Sequence, residues 1–112
     1  MADKTLKEFQ KEAVATFKKY EQTGTLPWDY SIAARDLPHQ VGSLTKALLQ
    51  IEGLRHKKGQ SEEALKAVVA DELADIFAEI LFIADGLNIS LEQAWDGMLR
   101  SDDKKIAERK VK

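Results

Sequence analysis

One segment of the chain concentrates four acidic residues, Asp71, Glu72, Asp75 and Glu79. Glu72 and Asp75 are three positions apart, so in a helix their carboxylates lie on one face, within reach of a single hard cation. Magnesium is usually held by one or two protein carboxylates, while waters and substrate phosphates complete its shell. An isolated pair of this kind is more often a solvated helix edge. The spacing alone therefore leaves two readings open, a magnesium site and an acidic surface.

Other chemistries are restricted by the composition. The 112 residues fit a single domain, and 17 basic residues against 19 acidic ones leave a net charge of −2. Nucleic-acid binders usually carry a concentrated basic face, so no direct nucleic-acid binding is expected. With no cysteine, disulfides, Cys-based zinc sites and thiol nucleophiles are excluded. The charged start and the lack of a long apolar run predict a cytoplasmic protein without a membrane segment.

Hydrophobic residues recur at helical spacing in two segments of the N-terminal half. The first segment carries Leu6, Phe9, Ala13, Phe17 and Tyr20, and the second carries Leu37, Val41, Leu44, Leu48 and Ile51. Between them, residues 23–29 contain Gly24 and Pro27 and are predicted to form a loop. Pro38 complicates the start of the second helix, because proline is tolerated only in a first turn. Either that helix restarts with Asp36 as its cap or it is kinked at Pro38.

Two further helices are predicted in the C-terminal half. Ser61, followed by Glu62 and Glu63, is typical of a helix start, and the long apolar helix after it should be the most buried. Ser90, with Gln93 three residues on, forms a capping box for a last helix, in which Trp95 is expected to lie in the core. Residues 101–112 are expected to form a frayed basic tail.

The spacing of the elements predicts an all-α fold. Short connections favour antiparallel neighbours and hence a helical bundle. The third helix is apolar around more of its circumference than so small a bundle can cover. A dimer or tetramer that shares this face would bury it, so self-association is expected.

The stretch from Asp71 to Trp95 reads D-E-L-A-D-I-F-A-E-I-L-F-I-A-D-G-L-N-I-S-L-E-Q-A-W. It resembles the second half of the MazG-like all-α nucleoside triphosphate pyrophosphohydrolases, in which an E-L-A-D helix precedes a short break and a helix opening with I-S/D-L-E-x-A. The family's first half is an E-E-x-x-E helix, typically E-E-V-G-E-L. The matching place here reads H-Q-V-G-S-L-T-K, from His39 to Lys46. The resemblance covers about residues 30–100.

The resemblance implies a four-to-five-helix antiparallel bundle of MazG-like type and a reaction. Members of the family use their acidic motifs to bind Mg²⁺, and they cleave (d)NTP between the α and β phosphates to give (d)NMP and pyrophosphate. Only Glu72 and Asp75 inherit the catalytic and metal-ligand roles. The three acids of the first motif have become His39, Gln40 and Ser43, so a two-metal arrangement lacks carboxylates on its second side.

Several other residues are candidates for binding a nucleotide. Gln40 and Ser43 can hydrogen-bond to a nucleotide or to water, and His39 could accept a proton, although a structural or exposed role is commoner for such a histidine. Trp28 could stack on a base or could close the edge of the core. Lys46 lies one turn after Ser43, where its ammonium could replace the cation beside Glu72 and Asp75; it could equally extend into solvent.

The chain is accordingly expected to be a MazG-like nucleotide pyrophosphohydrolase-type protein with reduced or altered activity. The alternative is a catalytically inactive MazG-fold module that binds a nucleotide or a protein, in which Lys46 replaces the metal. Loss of charged ligands weakens a metal site, which favours the alternative, whereas the resemblance favours hydrolysis.

Overall fold

A computed structural model describes residues 3–111 of the chain. Four helices account for most of this range: α1 (Leu6–Gln22), α2 (Tyr30–Ile51), α3 (Glu62–Gly86) and α4 (Leu91–Val111). No strand is present between residues 3 and 111. The predicted all-α class and the number of helices are confirmed.

The helix starts follow local side-chain chemistry. Ser61 Oγ accepts a hydrogen bond from the backbone N–H of Ala64 at 3.1 Å, and Ser90 Oγ accepts one from the N–H of Gln93 at 3.3 Å. Each serine satisfies a backbone donor that has no partner inside its helix. Both predicted starts are therefore confirmed at the level of the capping bond.

Helix α2 begins earlier than the proline suggests. Asp29 is its N-cap, with its carboxylate 3.0 Å from the backbone nitrogen of Ile32, and Pro38 lies inside the helix. The alternative in which Asp36 caps a restarted helix is wrong. The proline removes one backbone donor, yet the turns before it are fixed by the Asp29 cap and by packing on α3. Asp36 consequently lies in the helix interior, where its side chain can meet another helix.

Helices α2 and α3 run antiparallel and form the principal contact of the fold. The first residue of α2, Tyr30, adjoins the last residue of α3, Gly86, so closely that a Cβ built on Gly86 would lie 2.8 Å from the Cβ of Tyr30. At the other end, Gln50 is buried and Leu65 is fully enclosed. This arrangement fixes the register of the two helices over most of their length.

Helix α1 covers α3 through aromatic contacts. The rings of Phe17 and Phe82 stack with centroids 4.2 Å apart, and Phe9 meets Phe77 edge-on at 5.6 Å. Ala13 lies between Phe9 and Phe17 in the sequence and is buried. Its small side chain allows α1 to approach α3 closely. Aromatic pairs of this type contribute about 0.5–1.5 kcal/mol beyond the area they bury.

Helix α4 does not join this core. No extended contact links it to α1, α2 or α3 in the described part of the chain, and none of its residues is buried. Trp95 is 57% exposed, so the prediction that it lies in the core is wrong for the single chain. The backbone stays helical through the segment expected to be a frayed tail, as far as Val111.

The detached α4 makes the molecule extended. Its radius of gyration is 17.8 Å, whereas a compact chain of this length has about 13 Å.

Among the described residues, no helix has the length and apolar character needed to cross a membrane.

Candidate functional site

A cleft of about 390 Å³ opens above α3, between α1 and α2. Four elements contribute to its walls: the second half of α1, the α1–α2 loop, the first half of α2, and the middle of α3. Its lining residues are Thr16, Phe17, Tyr20, Glu21, Thr25, Leu26, Trp28, Asp36, Gln40, Asp75, Ala78 and Glu79. The volume is in the range of small-molecule sites, and the combination of aromatic and acidic walls is the main chemical feature of this protein.

Three acids of α3 meet beside this cleft. Carboxylate oxygens of Asp71, Glu72 and Asp75 lie within 4.8 Å of one another. Glu72 is half-buried, and its Oε2 is enclosed without a hydrogen-bond partner. An enclosed carboxylate oxygen without a donor is costly unless a cation or an ordered water meets it. The oxygen donors and their spacing therefore suit a hard divalent ion such as Mg²⁺.

Asp75 connects the acidic trio to the cleft, because it belongs to both. Asp75 is largely exposed, yet desolvation by the neighbouring protein raises the pKa of its carboxyl above the usual range, and the charge of Asp71 adds to this effect. Both influences disfavour a second negative charge at this point. A bound cation would reverse them, since it supplies the opposite charge at short range.

A second acidic pair spans α2 and α3 and was not predicted as a site. The carboxyl groups of Asp36 and Glu79 are in hydrogen-bonding contact, and the side-chain amide of Gln40 donates to Asp36 Oδ2 at 3.2 Å. Glu79 is only 4% exposed, and its Oε1 has no hydrogen-bond partner.

Burial and two acidic neighbours control the protonation of this pair. Desolvation, together with the contact to Asp36 and the charge of Asp75, raises the pKa of Glu79 to about 8. The pKa of Asp36 is lowered, chiefly because it accepts the hydrogen bond from Glu79. Near neutral pH Glu79 therefore keeps its proton, and its carboxyl O–H donates a hydrogen bond to the ionised carboxylate of Asp36.

The sequence contained a usable signal for Asp36. It precedes Gln40 by four positions, so the two side chains share one helix face if the helix continues through Pro38. The preference of proline for a first turn favours a capping role for Asp36 instead. The sequence marks Glu79 as an acid one turn after Asp75, but its burial depends on the packing of α2.

The predicted binding residues divide into two groups. Trp28 and Gln40 line the cleft together with Asp75, so the structure brings these three together. His39 and Lys46 are exposed on α2 and Ser43 is half-buried, and none of these three lines the cleft. Within residues 3–111, no ion pair joins Lys46 to Glu72 or Asp75, and the only ion pair found there is Lys4–Glu12.

Trp28 combines the two roles considered for it. Its ring lies 5.8 Å from that of Phe17 at an interplanar angle of 37°, which anchors the loop on α1. The indole is only half-buried and forms part of the cleft wall. It closes the edge of the core and still presents aromatic surface to the cleft.

Comparison with protein-family models, curated proteins and solved structures gives no match for this chain. The MazG-like resemblance consequently rests on the residues from Asp71 to Trp95 and on the skeleton of the first motif.

Proposed function

We propose that this chain is a MazG-like nucleotide pyrophosphohydrolase-type protein that takes a nucleoside triphosphate with Mg²⁺ into the cleft. The supporting observation is the position of Asp75, which is at once a member of the acidic trio and a wall of the aromatic cleft. Glu72 and Asp75 are the proposed ligands of the ion. A nucleotide whose base lies against the aromatic wall would have its phosphates near these acids.

The charge of the cleft makes a cation necessary for such a substrate. Four lining residues are acidic, and none of the described lining residues is Lys, Arg or His. A triphosphate that approached these walls alone would meet only like charge. When bound, a divalent ion would offset the phosphate charge and lower the pKa of a bound water.

The protein residues have separable roles in this proposal. Trp28, backed by Phe17, offers an aromatic face on which a base can stack. Gln40 lines the cleft and already donates its amide N–H to Asp36, which leaves its amide oxygen free to accept a hydrogen bond. Glu72 and Asp75 hold the ion, and the partial burial of Glu72 restricts its side chain to few orientations. Binding and orientation thus come from α1, the loop and α2, whereas the proposed metal ligands come from α3.

The alternative with Lys46 in place of the metal lacks comparable support. The Lys46 side chain is exposed and makes no ion pair with the acids of α3 in the described region. Its ammonium therefore does not compensate the enclosed Glu72 oxygen in the single chain.

The test is an assay of pyrophosphate and monophosphate release from ribo- and deoxynucleoside triphosphates, with Mg²⁺ and then Mn²⁺. We expect release by the wild type and a loss of at least about 100-fold in Glu72→Gln. Glu63→Gln, which removes one exposed acid from the first turn of the same helix, is the matched control and should keep its activity. Absence of release from every nucleotide, or equal release by Glu72→Gln, would refute the proposal.

We also infer that the chain self-associates as a dimer or tetramer. Its accessible surface is 8715 Å², whereas a compact monomer of 12.6 kDa exposes about 6,200 Å². The excess of about 2,500 Å² is the amount that each partner buries in a large obligate interface. Part of it is a single apolar stripe of α4, formed by Trp95, Met98, Leu99 and Ile106, each of which is at least 43% exposed.

A further inference from the structure

We infer that the protein has a second cation position, between α2 and α3, at which Asp36 and Glu79 are the protein ligands of a divalent ion such as Mg²⁺ or Mn²⁺. The use of this ion in nucleotide hydrolysis rests on the proposed function, but its binding does not. The position is separate from the acidic trio, because neither Asp36 nor Glu79 belongs to that trio.

The geometry of the helix pair brings the two carboxyl groups together. Antiparallel packing fixes Tyr30 against Gly86, and two turns further along each helix it places Asp36 against Glu79. Gln40 holds one oxygen of Asp36 at 3.2 Å and thereby orients the carboxylate. Two carboxylates that meet in this way are the protein contribution that Mg²⁺ usually requires, and waters or phosphates can supply the remaining ligands.

An independent observation points to a ligand at this place. Glu79 is only 4% exposed, its Oε1 has no hydrogen-bond donor, and the residue is part of the cleft wall. An enclosed oxygen without a donor, facing a second carboxylate, is destabilising for the protein alone. A divalent cation at this point would satisfy the oxygen and reverse the repulsion between the two acids.

This position draws one carboxylate from each of two packed helices. Asp36 lies one turn before Gln40 on the same face, and its partner is Glu79, one turn after Asp75. The acidic trio of α3 and the pair shared by α2 and α3 therefore offer two neighbouring groups of carboxylates for ions.

The test is a titration of the metal-free full chain with Mn²⁺, followed by calorimetry and by the electron paramagnetic resonance signal of free Mn²⁺, without nucleotide. We expect two ions per wild-type chain. Asp36→Asn/Glu79→Gln should lose one ion or bind it at least about 10-fold more weakly. Glu72→Gln should lose the other. Glu63→Gln, which removes one exposed acid from the first turn of α3 outside the cleft, is the control and should keep both.

The outcomes separate this inference from the proposed function. Two ions of unchanged affinity in Asp36→Asn/Glu79→Gln, or one ion in the wild type that only Glu72→Gln removes, would overturn the inference and leave the proposed function intact. Loss of one ion from the double variant in a protein that hydrolyses no nucleotide would support the second position while the proposed reaction fails. Circular dichroism melts of each variant establish that the fold is retained, and the single variants Asp36→Asn and Glu79→Gln provide the measurement if the double variant does not fold.

Discussion

A protonated carboxyl in the middle of a cleft is the least ordinary group of this protein. Glu79 is enclosed by α2 and α3, and it faces Asp36 from α2 and Asp75 from its own helix, with Glu21 of α1 in the same cleft. Apart from the phenol of Tyr20, every titratable group that lines the cleft is a carboxyl, so no lining cation stabilises the ionised form. The group is therefore neutral near pH 7 in the metal-free protein.

The pH dependence of stability follows from that neutrality. Because the folded pKa of about 8 lies above the ordinary glutamate value of 4.5, the folded chain keeps a proton that the unfolded chain releases between these values. The contribution of Glu79 is fully present below about pH 4.5 and is lost as the pH rises to about 8. The lowered pKa of Asp36 acts in the opposite direction, but its contribution is lost only in acid, near and below 3.8.

Glu79→Gln isolates this effect. The amide can donate to Asp36 as the protonated acid does, and it cannot ionise. In EDTA we expect the melting temperature of the wild type to fall between pH 5 and about pH 8 by more than that of the variant. Thermal melts at half-unit pH intervals measure the difference, and Glu21→Gln serves as the control. Parallel profiles for the wild type and Glu79→Gln would contradict the assignment.

The site depends on the register of one helix pair, which is a property of the elements. Close approach at Gly86 and Tyr30 leaves no room for a side chain at position 86. If α2 moved away from α3 at this end, Asp36 would separate from Glu79, and the cleft would widen. Gly86 is therefore important for the site although it does not line the cleft.

Gly86→Ala is expected to destabilise the fold by about 1–3 kcal/mol, since the new Cβ would lie 2.8 Å from that of Tyr30. Gly97→Ala is the matched control on α4, where the nearest neighbour of a Cβ is a flexible arginine atom at 3.9 Å. That change should stabilise by about 0.5–1 kcal/mol, because alanine favours a helix over glycine. Urea denaturation measures both, and equal effects of the two substitutions would show that the contact with Tyr30 is unimportant.

At the scale of the whole molecule, α4 is unsupported in the single chain. An exposed helix with an apolar stripe is stable in water only if that stripe is covered. We propose that a second copy provides the cover, in keeping with the large accessible surface and the radius of gyration of 17.8 Å. In that proposal Trp95, wrongly predicted to lie in the core of its own chain, becomes a central residue of an interface.

Light scattering coupled to size-exclusion chromatography tests this expectation. The wild type should elute as a dimer or tetramer of the 12.6 kDa chain. Trp95→Glu should reduce the mass to that of a monomer or of a smaller assembly, because a buried unpaired charge is strongly unfavourable. Gln93→Glu adds a charge to an exposed position of the same helix and should leave the mass unchanged. A monomeric wild type at micromolar concentration would contradict the inference.

Local chemistry is sufficient to predict where the helices begin. The hydrophobic spacing and the serine caps at Ser61 and Ser90 determine where α3 and α4 begin, because a cap is formed by residues three positions apart. The acidic trio can be predicted for the same reason, since its three members lie within about one turn of a single helix. These relations depend on the sequence alone.

Only the tertiary structure determined the rest. The pairing of Asp36 with Glu79 joins residues 43 positions apart, and it requires both that α2 continue through Pro38 and that α2 and α3 adopt one particular register. The burial of Glu79 and the exposure of Trp95 are likewise set by which helix packs where. Helical periodicity specifies that a face is apolar, but it does not specify whether the same chain or a second copy covers that face.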